Sequence, residues 1–149
     1  MSVFPDFDEN GDLPIDVYKA TLSEVLEHFG KQTLQRRIVA KRLVRIYDLA
    51  VSTNHLARFV IYGSFITAKT DPDDVDIFLL MDELFLPKTV IADAAVIFNH
   101  MLVHEREGAS VFWSKRGNIL GTEQALIEGW QLKRGGVDRR GIVEVVSRD

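Results

Sequence analysis

At 149 residues with 46 % hydrophobic side chains, the chain has the length of one domain, read as residues 1–149, and enough apolar material for a true core. It holds no cysteine, which excludes a disulfide scaffold or thiolate metal site and favours a cytoplasmic protein; no leader pattern opens the chain, and no apolar run nears the ~20 residues of a membrane helix, so no membrane partner is expected. The net charge of −4 hides alternating blocks: −6 over residues 1–30, +6 over 31–58, −7 over 71–107 and +3 over 115–140. Such blocks are ordinarily ion-paired surface; their sharper reading is an acidic, metal-binding centre with basic walls for an anionic substrate.

In chain order, residues 1–16 read as an N-terminal arm. Pro5, Gly11 and Pro14 argue against regular structure there, while Phe4, Phe7, Leu13 and Ile15 can pin it to the body. Thr21-Leu22-Ser23-Glu24 is a capping box, which predicts a helix to Phe29 stopped by Gly30. Thr33 reads as the cap of a long helix to Ser52, with Val39, Leu43, Ile46 and Ala50 on its buried face. Arg37, Lys41 and Arg45 lie four apart on another face, where solvation is the commoner role and RNA contact the sharper one.

Arg58 to Tyr62 and Val75 to Met81 read as strands, the second apolar on both faces and therefore central. Lys88 to Glu105 reads as one helix with Val90, Ile91, Ala94, Ile97, Phe98, Met101 and Leu102 inward. A short strand at Ser110–Trp113, a helix at Thr122–Leu132 and a last strand at Ile142–Val146 follow. Helices and strands alternate around a small sheet, so the fold class is α/β or α+β.

The chemistry concentrates between residues 60 and 80. An apolar strand ends in Gly63-Ser64; after nine residues come Asp74 and Asp76, two apart at the mouth of the next strand and thus on one face. Paired carboxylates repel unless a cation lies between them, and Mg2+, or Mn2+ in its place, takes one or two carboxylates together with phosphate oxygens. Glycine lets the backbone approach a ligand closely, and the N–H groups and hydroxyl of a turn opened by Ser64 can meet phosphate. Against this stands a plain turn followed by a polar strand entrance.

Gly63-Ser64 followed by Asp74-x-Asp76 resembles the signature of the DNA polymerase beta-type nucleotidyltransferases. A closer likeness, to small stand-alone bacterial nucleotidyltransferase-like proteins of uncharacterised function, runs from Leu13-Pro14 through the Thr21–Phe29 helix, Gly63-Ser64-Phe65-Ile66-Thr67 with Lys69, and Pro72-x-Asp74-Val75-Asp76, to Gly141-Ile142-Val143. The resemblance implies a minimal nucleotidyltransferase fold, a small mixed sheet with helices on one face, with Asp74 and Asp76 as catalytic carboxylates holding magnesium and Ser64 on the triphosphate. Gly63, Lys69, Arg139 and Arg140 complete the expected nucleotide site. The implied activity moves a nucleoside monophosphate from a nucleoside triphosphate to a hydroxyl on protein, RNA or a small molecule.

One departure matters. The superfamily adds a third carboxylate on the strand beside Asp-x-Asp, where this chain has Ser110. Glu105, Glu107 and Glu144 are the alternatives in space. Without any of them, the reading shifts to a catalytically degenerate module that serves as an antitoxin or as the regulatory partner of another protein.

Outside that segment, His100 and His104 are four apart but lack the His-Glu-x-x-His pattern. Half-buried or surface histidines are the plainer reading. Lys115-Arg116, Lys133-Arg134-Gly135-Gly136 and Arg139-Arg140-Gly141 can hold phosphates of a nucleotide or of RNA or stand as solvated loop charge. Trp113 and Trp130 can stack a base, although core packing is the more common role.

Overall fold

The computed structural model describes residues 3–149; Met1 and Ser2, at the start of the expected arm, lie outside the described residues. The elements run β1 (Val17–Thr21), α1 (Leu22–Phe29), α2 (Leu34–Ser52), β2 (Leu56–Tyr62), β3 (Asp76–Met81), α3 (Ala92–Val96), α4 (His100–Glu107), β4 (Ser110–Lys115), α5 (Glu123–Gly129) and β5 (Ile142–Ser147). The strands form one mixed sheet in the order β1-β5-β2-β3-β4. β2 is antiparallel to both β3 and β5, while β3–β4 and β1–β5 are parallel. The architecture is α+β, an open sheet flanked by helices.

Local chemistry accounts for the first helices. The Thr21 side chain accepts from the Glu24 N–H and the Glu24 carboxylate accepts from the Thr21 N–H, which closes the capping box. Caps of this kind contribute about 1 kcal/mol. Gly30 stops α1 without a left-handed turn; a Cβ there would lie 2.8 Å from the Leu26 carbonyl oxygen and 2.9 Å from the Ala40 Cβ. The Thr33 hydroxyl accepts from the Arg36 N–H and opens α2, and Val39, Leu43, Ile46 and Ala50 are all fully buried.

The sheet separates two apolar layers. Val75, Ile77, Leu79 and Met81 alternate toward α1, α2, α3 and α4, whereas Phe78 and Leu80 face a second cluster with Ile127, Leu126 and Trp130. α5 therefore covers the face opposite the other helices, which corrects the expectation of helices on one face only. Every residue of β3 from Ile77 onward is buried, as a central strand requires.

β1 lies between the expected arm and α1, where the sequence predicts no strand. The segment expected as one helix over residues 88–105 is broken into a 3-10 turn at Pro87–Thr89, then α3 and α4. Ala92 sits at φ +54°, and the Asn99 side chain accepts from the Leu102 N–H to start α4 afresh. The break shifts the apolar pattern: Ile97 is buried as expected, but Ile91 and Met101, also expected inward, are 78 % and 73 % exposed, while Val96 and Val103 are buried. In the arm, Phe4 and Leu13 are buried, Phe4 packing 4.9 Å from the Phe29 ring, whereas Ile15 is exposed. Among the described residues no helix is long and apolar enough to cross a membrane.

Candidate functional site

The ends of three adjacent strands place Tyr62, Asp76 and Ser110 in one row: Tyr62 pairs with Asp76 across β2–β3, and Asp76 with Ser110 across β3–β4. Val75 points into the helix-side core. Asp76 opens β3 on the other face, and Asp74, in the bend just before the strand, lies close enough for its charge to act on Asp76. Both are half-buried, and neither carboxylate accepts a hydrogen bond from a described residue. The Asp76 carboxyl is pushed up to about 6, first by burial and then by the charge of Asp74, against the pull of Arg134 and Arg140. Burial, with Asp76 and Asp74 adding to it, also raises the Tyr62 phenol. An ionised carboxylate pair so poor in donors favours a cation.

Gly63 follows at φ +81°. Its bare Cα lets the Asp76 side chain lie against it, since an added Cβ would stand 2.0 Å from Oδ2. Ser64 opens a 3-10 turn over Ser64–Ile66. Its carbonyl accepts from the Thr67 N–H and hydroxyl, and its own hydroxyl has no described partner.

The loop between the Gly-Ser turn and the aspartates is held by α2. Arg36, 4 % exposed, donates from Nη1 to the carbonyls of Phe29 and Phe65 and from Nη2 to those of Thr67 and Lys69, at 2.5–2.9 Å. Gln35 donates to the Pro72 carbonyl at 3.0 Å and Arg42 to the Asp73 carbonyl at 3.2 Å. Carbonyl dipoles thus disperse the charge of a buried guanidinium, and one helix sets the shape of the loop before Asp74. Sequence reasoning missed Arg36. The signal was present: Arg36, Val39, Leu43, Ile46 and Ala50 share one helical stripe, and an arginine on a buried stripe needs a set of acceptors.

The expected basic residues separate. Arg134 and Arg140 act electrostatically on Asp76. Arg139 turns toward α5, donating to the Glu128 carbonyl at 3.0 Å. It also lines a polar cavity of about 560 Å3 with Lys19, Arg58 and Gln131. Lys69 is exposed and lines a cavity of about 280 Å3 between the arm and the start of α2.

The alternatives for a third carboxylate lie elsewhere. Glu144 accepts from Arg58 Nε at 3.0 Å and Nη2 at 2.6 Å, and Arg58 also reaches Glu123. Glu107 pairs with Arg45, which also holds Asp93; this occupies one member of the Arg37–Lys41–Arg45 stripe. Glu105 is exposed on α4. Among the described residues no group of three or more Asp, Glu, His or Cys side chains is placed to hold a metal. His100 is also engaged, its Nδ1 3.1 Å from the Val111 carbonyl oxygen and its ring stacked 4.2 Å from Phe112. Both tryptophans pack: Trp113 donates to the Phe98 carbonyl, and Trp130 stacks on Phe78 at 4.9 Å and lies tilted against Tyr62 at 4.6 Å.

Two carboxylates, a tight glycine turn with a free hydroxyl, and two nearby guanidinium groups make a centre suited to one divalent cation and an anion bound through it. No curated protein and no solved structure matches the chain. A family described as "Family of unknown function (DUF6932)" matches residues 5–146, from the arm to the last strand, and the chain belongs to that family.

Proposed function

We propose that this protein binds a nucleoside triphosphate through Mg2+, or Mn2+ in its place, at Asp74 and Asp76, within a minimal nucleotidyltransferase fold of the polymerase beta type, and that it acts in the cytoplasm. The observation that carries the reading is the Asp74–Asp76 pair, half-buried and without a hydrogen-bond donor, packed on Gly63 beside the unengaged Ser64 hydroxyl. In this reading Ser64 and the turn N–H groups meet the phosphates, and Arg134 and Arg140 balance their outer charge. The metal ion, when bound, offsets charge on the phosphates and orients them. Transfer would exchange the bond from the α-phosphorus to pyrophosphate for one to an acceptor hydroxyl oxygen, with the hydroxyl proton released.

Ser110 favours a second reading. An uncharged residue stands in the row where a third carboxylate would hold metal and activate the acceptor. The site then binds nucleotide without efficient transfer, and the protein serves a partner, such as a toxin, as a nucleotide-responsive module.

The deciding experiment is calorimetry with the four ribonucleoside triphosphates, with and without magnesium, on wild type and on Asp74→Ala/Asp76→Ala. Binding that requires both the metal and the aspartates supports the site. Absence of binding by folded wild type overturns it. Pyrophosphate release with labelled triphosphate then separates transfer from binding alone.

A further inference from the structure

The segment after α5 is a small hairpin over the basic cluster. Leu132 bridges Arg139, the Lys133 N–H donates to the Asp138 carbonyl at 2.8 Å, and Gly135 and Gly136 form its tip at φ +104° and +78°. Its tip packs on little: residues 134–139 are exposed. Contacts at its base therefore decide where its cations stand.

Besides the bond from Arg139 to the Glu128 carbonyl of α5, those base contacts run to the arm. Asp12 is 4 % exposed and accepts from Lys133 Nζ at 2.8 Å on one oxygen and from Arg140 Nη1 at 3.1 Å on the other. The neighbouring residue Leu13 accepts at its carbonyl from the Gly141 N–H at 2.8 Å, where a side chain at Gly141 would meet the Pro14 carbonyl at 2.4 Å. On the other side, the Gly11 carbonyl accepts from the Ala68 N–H at 2.8 Å, in the loop that begins with Gly63-Ser64. Gly11, at φ +79°, has no Cβ to press on Ala68. The turn carrying these residues is itself set by Asp8, whose Oδ1 accepts from the N–H groups of Asn10 and Asp12.

Three consecutive arm residues thus join the two loops that flank the aspartates. Asp12 carries one negative charge against two positive ones, so the hairpin base keeps a positive excess. Arg140 reaches both Asp12 and the field of Asp76, and Arg134 has no ion-pair partner among the described residues. We propose that Asp12 is the positioning residue of this site: its buried carboxylate latches Lys133 and Arg140, so that the hairpin presents Arg134 and Arg140 to the phosphates of a nucleotide bound at Asp74 and Asp76. The proposal rests on the nucleotide reading above and adds the part that the arm has in it. It makes the arm an integral wall of the site rather than a cover for Phe29.

The experiment compares wild type with Asp12→Asn, which keeps the shape of the side chain and loses its charge, and with Asp12→Glu. Lys133→Met opens the latch from the outer side and leaves the arm intact, in case Asp12→Asn does not fold. Two readouts are taken, limited trypsin cleavage after Arg134, a bond that every variant keeps, and calorimetric binding of MgATP. Loss of the latch is expected to speed cleavage after Arg134 about tenfold, while bonds in α2 remain resistant. MgATP affinity is expected to fall about tenfold in Asp12→Asn and Lys133→Met and to recover in Asp12→Glu. Unchanged cleavage overturns the latch. Faster cleavage with wild-type MgATP affinity overturns the positioning role alone. Wild type that binds no triphosphate overturns the nucleotide reading and the positioning role together, and the cleavage rates still decide the latch.

Discussion

Ser110 stands directly beside Asp76 in the β3–β4 ladder, and Tyr62 pairs with Asp76 from the other side, across β2–β3. The row therefore reads phenol, carboxylate, hydroxyl, with its only charge at the centre. Replacing Ser110 with Asp adds a third carboxylate oxygen pair to the same sheet face. Ser110→Asp is expected to tighten Mn2+ binding about tenfold, because affinity for a hard cation follows ligand charge and number. Titration followed by the paramagnetic signal of free Mn2+ measures it. An unchanged affinity would show that the row does not face the cation.

Gly63 meets two constraints at once. Its φ of +81° disfavours any L side chain, and a Cβ would stand 2.0 Å from Asp76 Oδ2. Gly63→Ala is expected to lose about 2–4 kcal/mol of stability in chemical denaturation, more than the ~1 kcal/mol of an unhindered left-handed position. A variant within 0.5 kcal/mol, by the same order-of-magnitude measure, would mean that Asp76 swings away freely.

Asp76 makes stability depend on pH in a defined direction. Its carboxyl lies at about 6 in the folded chain against an ordinary 3.8, mainly through burial and next through Asp74. The folded state then binds this proton more tightly than the unfolded one. The cost of the ionised group is full above about 6 and disappears below about 4. Asp76→Asn is expected to be more stable than wild type by about 1–2 kcal/mol at pH 7.5, a figure reduced for partial solvent access, and equal to it near pH 4. Thermal unfolding across that range tests it. Saturating magnesium should stabilise wild type and leave the variant unmoved.

Much of this arrangement is legible in the chain, for reasons that are local. The capping box at Thr21–Glu24, the Thr33 cap and the apolar stripe of α2 are short-range patterns, and those helices end where the residues say. The pairing of Gly63-Ser64 with Asp74-x-Asp76 is also short-range, and it brings the turn onto the carboxylate. What was not legible depends on contacts distant in sequence. β1 exists because β5, more than a hundred residues later, offers it a parallel edge. The broken helix over residues 88–105 depends on one residue at positive φ and on an asparagine cap. Glu144 was open as a third acid until its pairing with Arg58, 86 positions away, placed it elsewhere.

Arg36 ties four carbonyls from two segments, those of Phe29, Phe65, Thr67 and Lys69, to one guanidinium. A methionine of similar length leaves these acceptors buried and unpaired. Arg36→Met is expected to cost about 3 kcal/mol or more, from several lost charge-assisted hydrogen bonds. Arg36→Lys should recover only part, since an ammonium cannot span the fork. Amide exchange of residues 65–69 should quicken in both variants while α5 remains protected. Uniform quickening across the chain would mean that Arg36 supports the whole fold rather than this loop.

Glu144 gives the sharpest separation between a structural and a catalytic carboxylate. Its side chain is 9 % exposed and Arg58, at 14 %, bonds it through two nitrogens while also holding Glu123. The pair lies on the α5 side of the sheet, with Glu144 opposite Val60 rather than Asp76. Glu144→Gln removes the charge that Arg58 faces and is expected to lower stability by about 2–4 kcal/mol, as breaking a largely buried ion pair does. The folded fraction should bind MgATP and Mn2+ within about twofold of wild type, because no ligand is lost. A third metal carboxylate would behave in the opposite way, with stability kept or raised by relief of charge repulsion and cation affinity reduced. Measuring denaturant midpoints and Mn2+ affinity on one preparation therefore assigns Glu144 to one role or the other, and loss of Mn2+ binding with stability intact would return it to the site.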